Sequence, residues 1–384
     1  MYSFLAPSQN YYGNNSVEVV GEKAEQLELN KVLIVTDDTL AEIEDGPVEK
    51  VLSSLKESGI DYEIFTGVEP NPKIQNCLDG LEMYNESNSE GIITVGGGSA
   101  HDAGKGIAVA EAHNGDIKKY AGIEKLENDL VPIISVNTTA GTASEVTKHC
   151  VLTDVETKLK FVIVSYRNVP KISINDPLLM LSVPTALTAA TGMDALTHAI
   201  ESYVSVNATE LTDSMAIHAI KLISENLRQA VANGEDIKAR DNMATASLLA
   251  GMAFNNADLG YVHAMAHQLG GQYDMAHGVA NSILLPVVME YNLISNPEKF
   301  AKIAEYMGEN TRGLSTLEAA DKSIEAVKRM SKEVNIPENL EVMDVKKEDF
   351  ELMAKNALED GNAPSNPRKG NKEDIVKLFE AAYE

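Results

Sequence analysis

GIITVGGGSAHDAGKGIAVA, residues 91–110, sets an apolar, β-branched run directly before three consecutive glycines, and these directly before a small-residue helical pattern. The opening run reads as a buried strand that ends in turn chemistry. Glycine removes the Cβ that would hold a phosphate away from the backbone. A helix starting just beyond offers unpaired N–H groups and partial positive charge. The usual dinucleotide fingerprint is not met, because G-x-G-x-x-G fits Gly96 and Gly98 but puts His101 where the third small residue belongs. Taken alone, the stretch fits a tight turn with no ligand as well as it fits a phosphate cradle.

Working outward, KVLIVTD (31–37) and VPIISVNTTAGTASE (131–145) repeat the same design. VEKVLSSLKESG (48–59) and NCLDGLEMYNES (76–87) show apolar spacing near the helical period. Strands alternating with helices predict a Rossmann-like parallel sheet covered on both faces. NTTAGTASE (137–145) forms a second polar loop after a strand, with hydroxyls from Thr138, Thr139, Thr142 and Ser144 and a tight approach at Gly141. Two such loops at strand ends favour a nucleotide crevice. Asp37 closes the first strand, where a carboxylate accepts from ribose hydroxyls and repels a 2′-phosphate, though a helix cap explains it equally.

Past INDPLLMLSVPTAL (174–187) β-branched runs become scarce and amphipathic patterns continue to the C-terminus. The expected division is an α/β dinucleotide-binding domain over 1–181 and an all-helical, metal-binding domain over 182–384. GNAPSNPRKGN (361–371) reads as a polar loop before a last helix. A chain of 384 residues is long enough for two cores. The formal charge of −26 repels phosphate backbones and anionic lipids, which argues against a nucleic-acid partner. No apolar run reaches spanning length and no signal pattern opens the chain, so neither a membrane span nor secretion is expected. Cys77 and Cys150 are too few for a disulfide framework and suit a reducing cytoplasm.

In TGMDALTHAIESY (191–203), Asp194 and His198 stand four apart, on one side of a helix. By itself that spacing suits a buried hydrogen-bonded pair better than a metal grip. GYVHAMAHQLGGQYDMAHGVANS (260–282) changes the balance, since His263 and His267 repeat the spacing and His277 follows on a separate turn. The chain has only eight histidines, and these four gather on the pattern. One carboxylate with imidazoles suits Fe²⁺, Zn²⁺ or a similar divalent ion. Spacing leaves open which of the four histidines bind. His101, His113, His149 and His218 read as surface or packing residues, His101 beside the glycine turn. No H-E-x-x-H or G-x-S-x-G occurs, which disfavours a zincin protease and a serine hydrolase. A nucleotide crevice followed by such a metal site points to redox chemistry.

GGGSAHDAGK, NTTAGTASEVT, TGMDALTHAIE, FNNADLGYVHAMAHQLGG and HGVANS together resemble the blocks of the iron-containing (group III) alcohol dehydrogenases, in that family's order and over essentially the whole chain. The resemblance implies metal and cofactor in a cleft between the two domains. It implies Asp194, His198, His263 and His277 as metal ligands, with His267 beside them in proton transfer. It implies that Gly97, Gly98, Ser99, Thr138, Thr139 and Thr142 meet the NAD pyrophosphate and neighbouring groups. Asp37 and Asn71 would lie at the adenosine end, with Lys160 and the segment Met180 to Pro184 lining the cofactor cleft. Asp102 completes the glycine-loop pattern and orders that loop. The implied cofactors are NAD and Fe²⁺, with Zn²⁺ as the substitute. The implied substrate is a primary alcohol or its aldehyde, including lactaldehyde, methanol, ethanol or butanol, and the implied assembly a homodimer or decamer.

Overall fold

The computed structural model describes residues 3–5, 9–157 and 159–384. The chain divides into two compact units, Leu5–Ser182 and a second holding Val183–Glu384.

In the first unit the described strands and helices are β1 (Gln9–Tyr12), α1 (Val20–Gln26), β2 (Lys31–Val35), α2 (Asp38–Ala41), α3 (Pro47–Glu57), β3 (Asp61–Phe65), α4 (Ile74–Ser87), β4 (Gly91–Gly96), α5 (Gly98–Ala112), β5 (Gly122–Ile123), β6 (Ile133–Asn137), β7 (His149–Asp154), β8 (Leu159–Val164) and β9 (Ile172–Asn175). Six strands form one sheet in the order β1-β9-β6-β4-β2-β3, every neighbouring pair parallel. Alternation decides the two faces. Val32 and Ile34 of β2 join Ile93 and Val95 of β4 in a core with Val20 and Ala24 of α1 and Val51 and Leu55 of α3. Leu33, Val35 and Ile92 point the other way, against Cys77 and Tyr84 of α4 and Ala103 and Ile107 of α5. Two-sided burial is why these strands read as near-continuous apolar runs.

The chain leaves β2 for β3 on one side and β4 for β6 on the other, so the connections part between β2 and β4. The carboxyl ends of those strands therefore flank a topological switch point, where open α/β sheets take ligands. β7 and β8 form an antiparallel pair, with β5 beside β8, in a separate small sheet. The strand–helix alternation did not foreshadow it.

The second unit is helical throughout its regular structure: α6 (Thr185–Val204), α7 (Glu210–Ala232), α8 (Ile237–Ala257), α9 (Tyr261–Tyr273), α10 (His277–Asn292), α11 (Pro297–Tyr306), α12 (Thr316–Glu333), α13 (Phe350–Glu359) and α14 (Lys372–Tyr383). α6, α7 and α8 pack on one another, and α10 packs against both α6 and α9. α6 is buried along nearly all of its last four turns, which suits its small residues. Among the described residues no helix is long and apolar enough to cross a membrane.

Candidate metal centre and nucleotide loops

In the first unit the glycine loop follows β4, at the switch point, and the threonine loop follows the neighbouring β6. α5 starts at Gly98 behind Gly97, so its free amides lie at the end of β4. A Cβ on Gly97 would come within 2.9 Å of Thr139 Oγ1, and one on Gly98 within 2.8 Å of Thr142 Cγ2. The glycines are thus demanded by the neighbouring loop as well as suited to a phosphate. The Thr138 amide donates to the Gly96 carbonyl (2.9 Å), and the Asn137 carboxamide brackets Thr139, donating to its carbonyl and accepting from its amide.

Beneath the loops lies a buried polar cluster whose centre, Lys105, the sequence did not single out. Lys105 is fully buried and its ammonium donates to the carbonyls of Ser144 (2.6 Å), Thr147 (3.1 Å) and His149 (2.8 Å) and to Ser144 Oγ (3.0 Å). Ser144 in turn donates to Asp102 Oδ1 (2.8 Å), so its hydroxyl faces inward and Asp102 ties the two loops together. Burial pushes Asp102 up to about 6 against the lowering by Lys105 and Ser144, and pulls Lys105 down. His101 is buried too, 2.7 Å from the Thr94 hydroxyl, and burial lowers it to about 3. It is therefore a neutral packing residue under the sheet.

Glu145 is 0 % exposed, and burial pushes its carboxyl up to about 7, partly offset by Asn175 and Lys105. A carboxyl raised in the folded chain above its unfolded value holds its proton longer when folded, so stability falls as pH rises from the unfolded value of 4.5 to about 7. Glu145→Gln removes that loss. The variant is expected to exceed the parent by roughly 3 kcal/mol at pH 8 and to match it near pH 4, as read by denaturant melts. Equal pH dependence in both proteins would refute this.

Of the remaining cofactor candidates, all but Pro184 belong to the same unit. Asp37 Oδ1 accepts from the Leu40 amide (2.9 Å) and caps α2. Lys160 Nζ donates to Asn71 Oδ1 (2.7 Å), and Asn71 adopts a left-handed backbone with φ 53°. Met180 is 1 % exposed, on a short 3-10 turn. In the second unit Pro184 sits exposed at the start of α6.

The second unit brings Asp194, His198, His263 and His277 to one point. Their candidate ligand atoms all lie within 4.8 Å of one another. Asp194 Oδ1 is 3.9 Å from His263 Nε2 and 3.8 Å from His277 Nε2. Ligands about 2.1 Å from a shared ion are separated by roughly 3 to 3.5 Å, so a small closure suffices. Asp194, His198 and His263 are 2 %, 4 % and 2 % exposed, and a carboxylate so buried among imidazoles calls for a cation. One oxygen and three nitrogen donors fit a divalent ion.

Two further carboxylates set the imidazoles. Glu201, a turn beyond His198 on α6, accepts from His263 Nδ1 (2.6 Å) and from the Val262 amide (2.8 Å). The carboxylate thereby caps the start of α9 and turns His263 Nε2 toward Asp194. Burial raises Glu201 to about 7 against those donors, and burial lowers His263 to about 4, so His263 is neutral near pH 7 with a lone pair to give. Asp360 Oδ2 accepts from His267 Nδ1 (2.8 Å), while its other oxygen accepts from the amide and side chain of Asn362. Burial would raise Asp360, but His267 and Asn362 hold it below its ordinary value. The His267 ring stacks on His277, centroids 5.6 Å apart. Glu201 was not singled out from the sequence, although it is the next step on the Asp194 and His198 helix face. Asp360 lies 93 residues from its partner, and no sequence pattern points to it.

Residues 7–177 match the model of the iron-containing alcohol dehydrogenases, and residues 188–383 match the C-terminal model of the same family. The chain belongs to the iron-containing alcohol dehydrogenase family, which implies a metal ion and an NAD-type cofactor. It is 61% identical over 383 residues to the 1,3-propanediol dehydrogenase of Citrobacter freundii, covering 100% of this chain and 99% of that one. It is 44% identical to the NAD-dependent methanol dehydrogenase of Bacillus methanolicus, covering 100% of each. The solved alcohol dehydrogenase from Oenococcus oeni superposes with a TM-score of 0.98 at 57% identity, covering 100% of both chains.

Proposed function

We propose that this chain catalyses the NAD-dependent, reversible oxidation of 1,3-propanediol to 3-hydroxypropanal. The observation that carries the chemistry is the convergence of Asp194, His198, His263 and His277 within 4.8 Å. The choice of diol is supported by the 61% identity to a 1,3-propanediol dehydrogenase along the full chain.

Asp194, His198, His263 and His277 hold the ion, Fe²⁺ by preference, with Zn²⁺ accepted by the same donors. A divalent ion there favours the alkoxide form of an alcohol, and NAD supplies the hydride acceptor. Glu201 keeps His263 in the tautomer that leaves Nε2 free to bind. Asp360 holds His267 by Nδ1, so that Nε2 exchanges the alcohol proton with water. At the other unit, the amides of Gly98 and Ser99 at the start of α5, with the hydroxyls of Thr138, Thr139 and Thr142, take the pyrophosphate. Asp102 acts from below by tying the loops, and Asn71 with Lys160 and the segment from Met180 to Pro184 face the remainder of the dinucleotide. The same proposal carries a homodimer, extended to a decamer, which sedimentation velocity reads.

The test is NADH formation by anaerobically metal-loaded protein with 1,3-propanediol, 1,2-propanediol, methanol, ethanol and 1-butanol. The highest kcat/KM is expected for 1,3-propanediol; a higher value for another alcohol replaces the substrate, and no NADH with any of them defeats the reading. Asp37→Gly is expected to raise NADP use relative to NAD by at least about tenfold, the effect of about 1.4 kcal/mol of relieved repulsion. Glycine is itself accepted as a helix cap, so α2 loses only a few tenths of a kcal/mol. An unchanged cofactor ratio removes Asp37 from that role.

A further inference from the structure

Asn281 stands one helical turn beyond His277 on α10 and is fully buried. Its Nδ2 lies 2.6 Å from Asp194 Oδ1, 3.0 Å from His263 Nε2 and 3.2 Å from His277 Nε2. One carboxamide nitrogen thus meets a group from each of three helices, α6, α9 and α10. It carries two hydrogens for three acceptors, so at most two of these contacts are full hydrogen bonds at one time. The orientation of the amide is fixed by charge. Turned over, it would press its oxygen onto the oxygen of Asp194, acceptor against acceptor. As it stands, Oδ1 is buried without a hydrogen-bond partner. A buried polar atom in that condition is tolerated where the rest of the side chain has a task that requires it.

We propose that Asn281 is the positioning residue of the metal site. Its amide fixes the rotation of the Asp194 carboxylate, and it brings the His263 and His277 ring edges to the same point through contacts to their single Nε2 lone pairs, which a bound ion takes over. A carboxylate oxygen has two lone pairs, so Asp194 Oδ1 keeps the amide bond on one and offers the other to an ion. A carboxylate held in this way loses little freedom on binding, and partners that orient ligands contribute substantially to metal affinity. The proposal rests on the four-ligand reading given above. Neither the spacing of the histidines nor the acidic partner Glu201 supplies this contact, because Glu201 acts on Nδ1 of a single ring.

The experiment uses the full chain loaded with Co²⁺ as the probe, comparing the parent with Asn281→Ala and Asn281→Asp. The aspartate keeps the shape of the side chain and loses the donor. Affinity is read by competition with a chelator, ligand geometry by the visible d–d absorption of Co²⁺, and folding by far-ultraviolet circular dichroism. Both variants are expected to bind Co²⁺ about 10- to 100-fold more weakly, with a shifted d–d band and unchanged helix content. Should the alanine protein fail to fold, the isosteric aspartate decides alone. Variants with parental affinity and band would overturn the proposal while leaving the four-ligand reading in place. Tighter binding by Asn281→Asp would overturn it as well, because the position would then serve as an acceptor. A parent protein that takes up no Co²⁺ overturns both readings together.

Discussion

His263→Ala protein is expected to leave purification without its divalent ion and to oxidise alcohol at least about a thousandfold more slowly than the parent. The size follows from what is lost: an ion acting as a Lewis acid contributes several kcal/mol to the barrier, and each 1.36 kcal/mol is a factor of ten. His263 is tightly constrained. Its Nδ1 is held by Glu201 at 2.6 Å, and the ring is 2 % exposed. Truncation removes a ligand atom and also takes from the buried Glu201 carboxylate its closest donor, so the start of α9 loosens at the same time. Metal analysis and NADH formation on one preparation check the outcome. His218→Ala, at an exposed position on α7, serves as the control and should change neither. A His263→Ala protein with full metal content and full rate would remove this residue from the site.

Gly278→Val is the second large effect, and it acts through packing alone. A Cβ at Gly278 would lie 2.3 Å from the carbonyl oxygen of Ala190 and 2.7 Å from its carbonyl carbon. These are backbone atoms of α6, one turn before Asp194, and cannot swing aside as a side chain would. The first turn of α10 must therefore move off α6 and carry His277 with it. Overpacking of this kind costs about 1 to 3 kcal/mol of stability. A displacement of about 1 Å at a reacting site lowers turnover by roughly a hundredfold. Thermal melts and kcat separate the two consequences. Gly278→Ala should give a smaller loss of the same kind, because alanine already brings the Cβ to the clash. A valine protein with parental kcat would show that α10 has room the geometry denies.

The clash explains a residue that the sequence presents without a reason. HGVANS shows that glycine follows the last proposed ligand, but the need for it lies in α6, on a segment nearly ninety positions earlier. The same holds at the first unit, where Gly97 and Gly98 are required by Thr139 and Thr142 of the other loop as much as by any phosphate. A pattern of glycines after a strand signals close approach; it does not identify what approaches.

Much of the fold was legible because it is local. The runs KVLIV, GIITVG and IISVN became β2, β4 and β6, and the apolar spacing of 48–59 and 76–87 became α3 and α4. The antiparallel β7 and β8 were not anticipated, since their edges pair with each other outside the main sheet and carry no helix between them. His101 was expected near the glycine turn; it lies beneath, bonded to Thr94, because α5 turns that face toward the sheet. Ser144 was expected to offer its hydroxyl outward, but Asp102 and Lys105 draw it in.

The sequence by itself determined the alternation of strand and helix, the change to helices near residue 182, and the pairs Asp194 with His198 and His263 with His267. Each of these is set by neighbours within a turn or a strand, through side-chain period and backbone propensity. Spacing left the ligand set open and the family resemblance implied Asp194, His198, His263 and His277; the tertiary structure brings these four to one point, and it alone decided that Asp360 holds His267 and that the Asn281 amide bridges three helices. Those contacts join residues that packing brings together across the helical unit. Their existence depends on crossing geometry and buried volume, which no local pattern encodes.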